Sequence, residues 1–309
     1  MKKSILEKRF SVGLCLGESI EDIELFLEKY HRYLNSIYFS VPLGRKFYSR
    51  AKLSDEYDGN EEKLIHVLKC IRSRNIRLEL TLNTRDLTAE EIKMAIDFCA
   101  DNDVTPEEIV CLKEYGEVVR DLLPNCEIKY SFNNHDVWLD KVDKNFDTVI
   151  IGKGLLRDTD KLGEVVKEYN VTYMLNNGCS FICNGRCGAG NCRNMFEADI
   201  KLNGLEYVYA RSSIFPSELK YLITQTDYAN QLKFKISNRP WGLKFARDAL
   251  DAYISMEDSI DEWKTNRKVL RVFCATVPIS ERLDEIDLDE VTEYKKHMEL
   301  CSERTKNGN

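Results

Sequence analysis

The first 178 residues repeat one pattern, in which a short β-rich run is followed by an amphipathic, helix-like stretch. Most of the seven predicted strands precede a predicted helix, an order that is typical of a parallel sheet. The strands are predicted at Phe10–Leu16, Ser36–Val41, Arg77–Leu82, Glu108–Leu112, Ile128–Phe132, Asp147–Ile151 and Thr172–Leu175.

An eighth strand is predicted at Leu205–Tyr209. Eight β/α units in about 250 residues is the size of a closed barrel. The alternative is an open doubly wound sheet, but no Gly-x-Gly-x-x-Gly follows the first predicted strand. We therefore predict a (β/α)8, TIM-barrel-like core with a short C-terminal extension. In such a barrel the chemistry lies at the carboxyl ends of the strands.

The character of the chain changes near residue 257, where an acidic, helix-like stretch begins. We predict a barrel-like domain over residues 1–256 and an appended extension over 257–304. Residues 305–309 are predicted to form a disordered tail.

Bulk properties favour an intracellular protein that does not enter membranes. No apolar run of 18 residues occurs, and the basic N-terminus lacks the apolar stretch of a signal peptide. The 11 cysteines are odd in number, in a chain too large to need disulfide staples. A net charge of −7 disfavours broad nucleic-acid binding. We expect a cytoplasmic location.

Four cysteines fall within 14 residues of a glycine-rich stretch, namely Cys179, Cys183, Cys187 and Cys192. An interior glycine costs a helix about 1 kcal/mol, and four glycines lie in residues 176–193. A loop that folds around an ion is therefore favoured over a helix. The pattern predicts a metal site; the alternatives are a redox disulfide pair or a loop with spare thiols.

The cysteine spacing does not identify the metal. Thiolates suit zinc and iron–sulfur clusters alike. Structural zinc sites usually carry Cys-x2-Cys pairs, whereas the intervals here are three, three and four residues. Both metals stay open on spacing alone.

Several stretches between residues 10 and 255 resemble the collagenase-like peptidase family, also called the U-thirty-two peptidases. Leu80–Thr84 resembles a strand that ends in an Asn-Thr pair, and Asn177–Arg193 resembles the family's cysteine signature. Ser213–Leu219, Leu232–Arg239 and Tyr253 resemble its last three motifs in order and spacing. The cysteines are more closely spaced than in the family pattern, and Ser237 and Asn238 replace its Glu-Gly pair.

This resemblance implies a [4Fe–4S] cluster held by Cys179, Cys183, Cys187 and Cys192 at the top of a barrel, with zinc as the alternative. It also implies redox or oxygen-independent hydroxylation chemistry on an aromatic or nucleobase-like substrate. Whether the chain is an enzyme stays open: a non-catalytic, metal-stabilised binding subunit with a protein partner is one alternative. Proteolysis is another, although no nucleophile–base pair is recognisable in the sequence.

A substrate pocket is predicted from four polar residues. Asn83 and Asn133 each come at the end of a predicted barrel strand. Lys235 and Arg239 flank Ile236-Ser-Asn. Alternate residues of a strand share one face, so Lys235 and Arg239 are predicted to point together. Two cations and two amides near the cluster would suit a carboxylate or phosphate group. The alternative for Arg239 is an ion pair that secures the last helix.

Overall fold

A computed structural model describes residues 3–48, 53–84, 86–131, 142, 144–151, 159–175, 214, 216–237 and 242–256. In this part of the chain eight parallel strands form a closed barrel in sequence order. The strands are β1 Phe10–Gly13, β2 Leu34–Phe39, β3 Arg77–Leu82, β4 Glu108–Cys111, β5 Glu127–Ser131, β6 Thr148–Ile151, β7 Asn170–Met174 and β8 Leu232–Ile236. The predicted TIM-barrel-like core is confirmed.

Within the described ranges, helices follow every strand except β5 and cover the outside of the barrel. They are α1 Ile20–Tyr30, α2 Leu53–Tyr57, α3 Glu61–Ser73, α4 Ala89–Asp101, α5 Gly116–Leu122, α6 Thr159–Glu168, α7 Pro216–Gln225 and α8 Gly242–Ser255. Helix α4 begins with a complete capping box: the Thr88 hydroxyl accepts from the Glu91 backbone N–H, and the Glu91 carboxylate accepts from the Thr88 backbone N–H.

β8 closes the barrel, because it pairs with β7 on one side and with β1 on the other. Placing the eighth strand at Leu205–Tyr209 was therefore wrong, and those residues lie outside the described part. The true strand alternates apolar residues with Lys233 and Lys235. Two lysines weaken the hydrophobic signal of a buried strand, which explains the error.

The main apolar core lies between the outer face of the strands and the helices. There the ring of Phe10 on β1 lies 5.7 Å from that of Phe234 on β8 and 6.5 Å from that of Tyr253 on α8, centroid to centroid. All three side chains are buried. This layer docks the last helix against the closing strand. The predicted extension 257–304 and tail 305–309 lie outside the described residues.

No helix within the described ranges is both long enough and apolar enough to span a membrane.

Candidate functional site

Charged side chains line the centre of the barrel. Alternation along the strands brings Glu79 of β3, Glu108 of β4, Lys129 of β5 and Lys235 of β8 to the inner face. Lys129 Nζ lies 2.8 Å from a Glu79 carboxylate oxygen and also donates to Glu108. Lys235 Nζ lies 2.5 Å from the other Glu79 oxygen. All four residues are buried, so they form a continuous ion-pair network away from water.

The network extends towards the amino ends of the strands. Arg77 Nη1 lies 2.6 Å from a carboxylate oxygen of Glu108 and 2.6 Å from one of Glu127. Lys233 Nζ lies 3.4 Å from Glu108 and 3.3 Å from Glu127. The Arg77 and Lys233 side chains are 35% and 26% exposed, so this end of the network reaches solvent.

Neutral side chains add hydrogen bonds to carboxylate oxygens that the cations already contact. The Ser36 hydroxyl donates to Glu79 at 3.2 Å, and the Asn35 amide donates to Glu108 at 3.0 Å. Hydrogen bonding of this kind is what makes buried charge tolerable in a barrel interior.

The electrostatic balance favours the charged forms. Burial alone would raise the pKa of Glu79 and Glu108, but the nearby cations outweigh it and lower both pKa values. Burial would lower the pKa of Lys129, whereas Glu108 and Glu79 raise it. Catalytic acids and bases need a pKa near the working pH. These shifts go the opposite way and hold Glu79, Glu108 and Lys129 in their charged forms.

Lys235, a predicted substrate residue, belongs to this network. Only 7% of the residue is exposed, and its ammonium lies 4.1 Å from the centre of the Tyr38 ring. The Tyr38 hydroxyl donates to the Ile236 carbonyl at 2.9 Å, which holds the ring in place. The structure thus directs Lys235 to the barrel axis and to Glu79. Its role towards substrate stays a prediction.

The other predicted pocket residues follow strands in the sequence. Asn83 is half-buried directly after β3. Asn133 and Arg239 lie outside the described residues, in stretches that follow β5 and β8. The carboxyl ends of these strands are at one end of the barrel, where TIM-barrel enzymes carry their active sites.

The four clustered cysteines lie outside the described residues, in the segment 176–213, but the residues on either side of this segment, Leu175 and Ile214, are described. Leu175 follows β7, and its backbone N–H donates to the Lys235 carbonyl of β8 at 3.0 Å. The Ile214 N–H then donates to the Leu175 carbonyl at 2.8 Å. The segment therefore leaves and returns at the carboxyl end of β7, beside β8. In the sequence, Asn133 follows β5, the cysteines follow β7 and Arg239 follows β8. These three strands lie in one run of neighbouring strands, β5 to β8.

Most described cysteines fill the core as small hydrophobic residues. Cys15, Cys99, Cys111 and Cys126 are buried, and none of them forms a disulfide. Burial raises the pKa of Cys99 and of Cys126 to about 12, so both stay protonated at neutral pH. Cys126 precedes β5 at the amino end of the barrel, whereas Cys15 follows β1 at the carboxyl end.

The N-terminus of α8 already holds a carboxylate of the protein. The Leu243 backbone N–H donates to Glu18 Oε1 at 3.2 Å. Gly242 has a φ of +76°, and a Cβ there would lie 2.9 Å from the same oxygen. A helix N-terminus attracts anions, and Glu18 supplies one. An anionic ligand at the barrel mouth would therefore need another partner than this helix end.

The interior ion-pair network was not predicted from the sequence, although its signal was present. Arg77-Leu-Glu79, Glu127-Ile-Lys129 and Lys233-Phe-Lys235 alternate charge with apolar residues inside parallel strands. Helices cover the outer face of such a barrel, so charges at alternate positions must point inward.

Comparisons with known proteins give structural likenesses only. The sequence matches no protein-family model and no curated protein. Among solved structures, a U32 peptidase matches with 10% identity and a TM-score of 0.40, over 74% of this chain and 92% of that one. A GH113 β-1,4-mannanase matches with 11% identity and a TM-score of 0.44, over 87% of this chain and 98% of that one. A GH18 chitinase from Pseudoalteromonas aurantia matches with 9% identity and a TM-score of 0.39, over 80% and 98%. Such low identities and TM-scores carry no inference about activity.

Proposed function

We propose that this chain binds a [4Fe–4S] cluster through Cys179, Cys183, Cys187 and Cys192 at the carboxyl mouth of the barrel. The observation that carries the proposal is the pairing of Leu175 with Lys235 and of Ile214 with Leu175. These bonds bring both ends of the cysteine segment to the edge of the mouth. Four thiolates on one such segment match the donor set of a cubane cluster.

Three of the described cysteines are poorer candidates for cluster ligands. Cys99, Cys111 and Cys126 are buried in the core, where a cluster has no room, and burial raises the pKa of each thiol. Zinc is the alternative occupant, since it accepts the same ligands. The resemblance of Asn177–Arg193 to the collagenase-like peptidase signature favours iron.

The reaction we propose is redox or oxygen-independent hydroxylation chemistry on an aromatic or nucleobase-like substrate. In the hydroxylation case an organic hydroxyl donor would give up its hydroxyl group and take up the hydrogen that leaves the substrate. The cluster would supply one-electron transfer. The protein would bind and orient the substrate at the strand ends, with Asn83 and Asn133 as amide partners and Arg239 as the cation for an anionic group. Because Glu79 neutralises Lys235, that lysine would support the floor of the pocket.

Two other functions are consistent with the same fold. A non-catalytic binding subunit would use the metal only to hold the loop in shape. A collagenase-like peptidase would need a nucleophile and a base near the strand ends. Within the described residues, His31 ends α1 and His66 lies in α3, both outside the barrel. The described part therefore offers no histidine base at the mouth.

A reductive titration of the anaerobically purified protein separates catalysis from a structural role. We expect dithionite to bleach the cluster absorption and ferricyanide to restore it over repeated cycles, with a paramagnetic signal in the reduced state. An electron-transfer cluster must have an accessible potential. An intact cluster that neither reagent changes would reject the redox function and favour the binding subunit. Peptide cleavage by cluster-free protein would favour the peptidase.

A second prediction concerns the substrate pocket. Changing Arg239 to leucine is expected to weaken the binding of benzoate or uridine monophosphate roughly tenfold or more, because a charge-assisted contact is lost. Iron content and thermal stability should stay unchanged. The matched control is Arg247→Leu on α8, a half-buried arginine that donates to the Asp22 carbonyl. If Arg239→Leu unfolds the protein while the remaining folded fraction binds both probes normally, the arginine secures the last helix instead.

A further inference from the structure

Three potential metal ligands meet on the outside of the barrel, on helices that the proposed cluster does not involve. Glu24 lies on α1, and His66 and Cys70 lie four residues apart on α3. Residues at this interval share one face of a helix. The ligand atoms of all three residues lie within 4.8 Å of one another.

The distances between these atoms fit the ligand shell of a tetrahedral metal ion. Cys70 Sγ lies 3.4 Å from Glu24 Oε1 and 3.6 Å from His66 Nε2. His66 Nε2 lies 3.8 Å from Glu24 Oε1. With metal–ligand bonds of about 2.0–2.3 Å, neighbouring tetrahedral ligands are separated by about 3.3–3.6 Å. Movements of a few tenths of an ångström would complete the arrangement.

We infer that Glu24, His66 and Cys70 form a binding site for a divalent transition metal of the zinc class. Thiolate, imidazole and carboxylate are all zinc ligands, and a mixed set of three leaves a fourth position for water. The His66 side chain is 54% exposed and that of Glu24 is 41% exposed, so an ion can enter from solvent.

The charged groups around Cys70 indicate what a metal ion would displace when it binds. In the metal-free protein the Cys70 thiol donates to Glu24, and burial together with this hydrogen bond raises the pKa of Cys70. A metal ion would take the place of that proton, so binding would release it. The Arg74 guanidinium acts in the opposite direction and favours the thiolate.

Such a site would tie α1 to α3, two helices that pack side by side on the barrel. A metal that binds only the folded state stabilises it by mass action. The site lies on helices rather than on the loops of the mouth, so its occupancy is independent of the proposed cluster. Its test can therefore fail without affecting the proposed function.

The test is anaerobic equilibrium dialysis of the cluster-loaded protein against buffered zinc, with zinc and iron counted in the same samples. We expect one bound zinc per chain in the wild type. Cys70→Ser, His66→Gln and Glu24→Gln should each bind zinc at least roughly tenfold more weakly, with iron unchanged. Matched controls are Glu28→Gln and His31→Gln, at the C-terminal end of the same α1 helix. Both should bind zinc like the wild type.

Thermal unfolding with and without zinc gives the second measurement. Zinc should raise the melting temperature of the wild type and of both controls, and should leave that of the three ligand variants unchanged. Equal zinc content in Cys70→Ser and in Glu28→Gln would overturn the assignment, since the bound metal would then lie elsewhere. Absence of zinc from the wild type would also overturn the assignment. The contact between Cys70 and Glu24 would then be only a thiol–carboxylate hydrogen bond.

Discussion

Replacing Lys129 with methionine is expected to lower the free energy of unfolding by about 3–5 kcal/mol. Lys129 is fully buried between the carboxylates of Glu79 and Glu108, and donates to both. Methionine keeps most of the side-chain volume but removes the charge. The two carboxylates would then face each other without the cation that separates them. Urea unfolding, followed by circular dichroism, measures the loss.

The matched control is Lys93→Met, which removes an equally close lysine–carboxylate pair on the surface of α4. The Lys93 and Asp97 side chains are 58% and 49% exposed. Exposed pairs contribute between 0 and about 1 kcal/mol, so this variant should unfold almost like the wild type. Equal losses in the two lysine variants would contradict a tightly coupled, water-free network.

Acid stability gives an independent readout of the same variant. Because the folded pKa values of Glu79 and Glu108 are lowered, their stabilisation is present above the ordinary value of 4.5. It is lost as the pH falls through the lower folded values. Without Lys129 these pKa values rise, so acid unfolding should begin at a higher pH. If acid unfolding of the variant begins at the same pH as that of the wild type, Arg77, Lys233 and Lys235 suffice to hold the two carboxylates ionised.

A double variant tests whether Lys129 and Glu108 act as a pair. Glu108→Gln alone should be strongly destabilising, because Lys129 loses a partner. In the Lys129→Met background the same change should cost at least about 1 kcal/mol less, since contacting residues are not additive. Additive losses would mean that Lys129 acts through packing alone.

The second large effect concerns the cysteine segment. Changing any one of Cys179, Cys183, Cys187 or Cys192 to serine should lower iron from about four per chain to a small fraction, because a hard hydroxyl replaces a soft thiolate. Iron and acid-labile sulfide are assayed in parallel after anaerobic purification. Retention of about four irons by any of the variants would remove that residue from the ligand set.

The structure selects the controls for this experiment. Cys126 precedes β5 at the amino end of the barrel, opposite the proposed cluster. Its thiol donates to the Pro106 carbonyl at 3.7 Å. Cys126→Ser should therefore keep its iron and lose only modest packing stability. Cys15 is buried after β1 at the carboxyl end, which makes it the first substitute ligand to test if one of the four proves dispensable.

Much of the fold could be predicted because its local signals agree with its global architecture. Strand β3 has the predicted bounds, and the other predicted strands from β1 to β7 differ by a few residues at their ends. Parallel strands covered by helices read as short apolar runs, and caps such as Thr88 mark where helices begin.

The elements that carry buried charged side chains could not be predicted correctly. β8 was placed in the wrong segment because Lys233 and Lys235 conceal its apolar face. The partners of Lys129 depend on three strands that are distant in sequence, so pattern alone cannot pair them. The four cysteines proposed as cluster ligands could be found by their clustering in the sequence, whereas Glu24, His66 and Cys70 meet only through helix packing.

The central claim is that the four clustered cysteines hold an iron–sulfur cluster at the carboxyl mouth of the barrel. The most direct measurement is an assay of iron, sulfide and zinc in the anaerobically purified wild-type protein, with its absorption spectrum. We predict brown protein with about four irons and matching sulfide per chain, and broad absorption near about 400 nm. Colourless protein that carries one zinc ion per chain and no iron would contradict the claim. If that zinc is lost when Cys179 is changed to serine, the four cysteines form a zinc site instead.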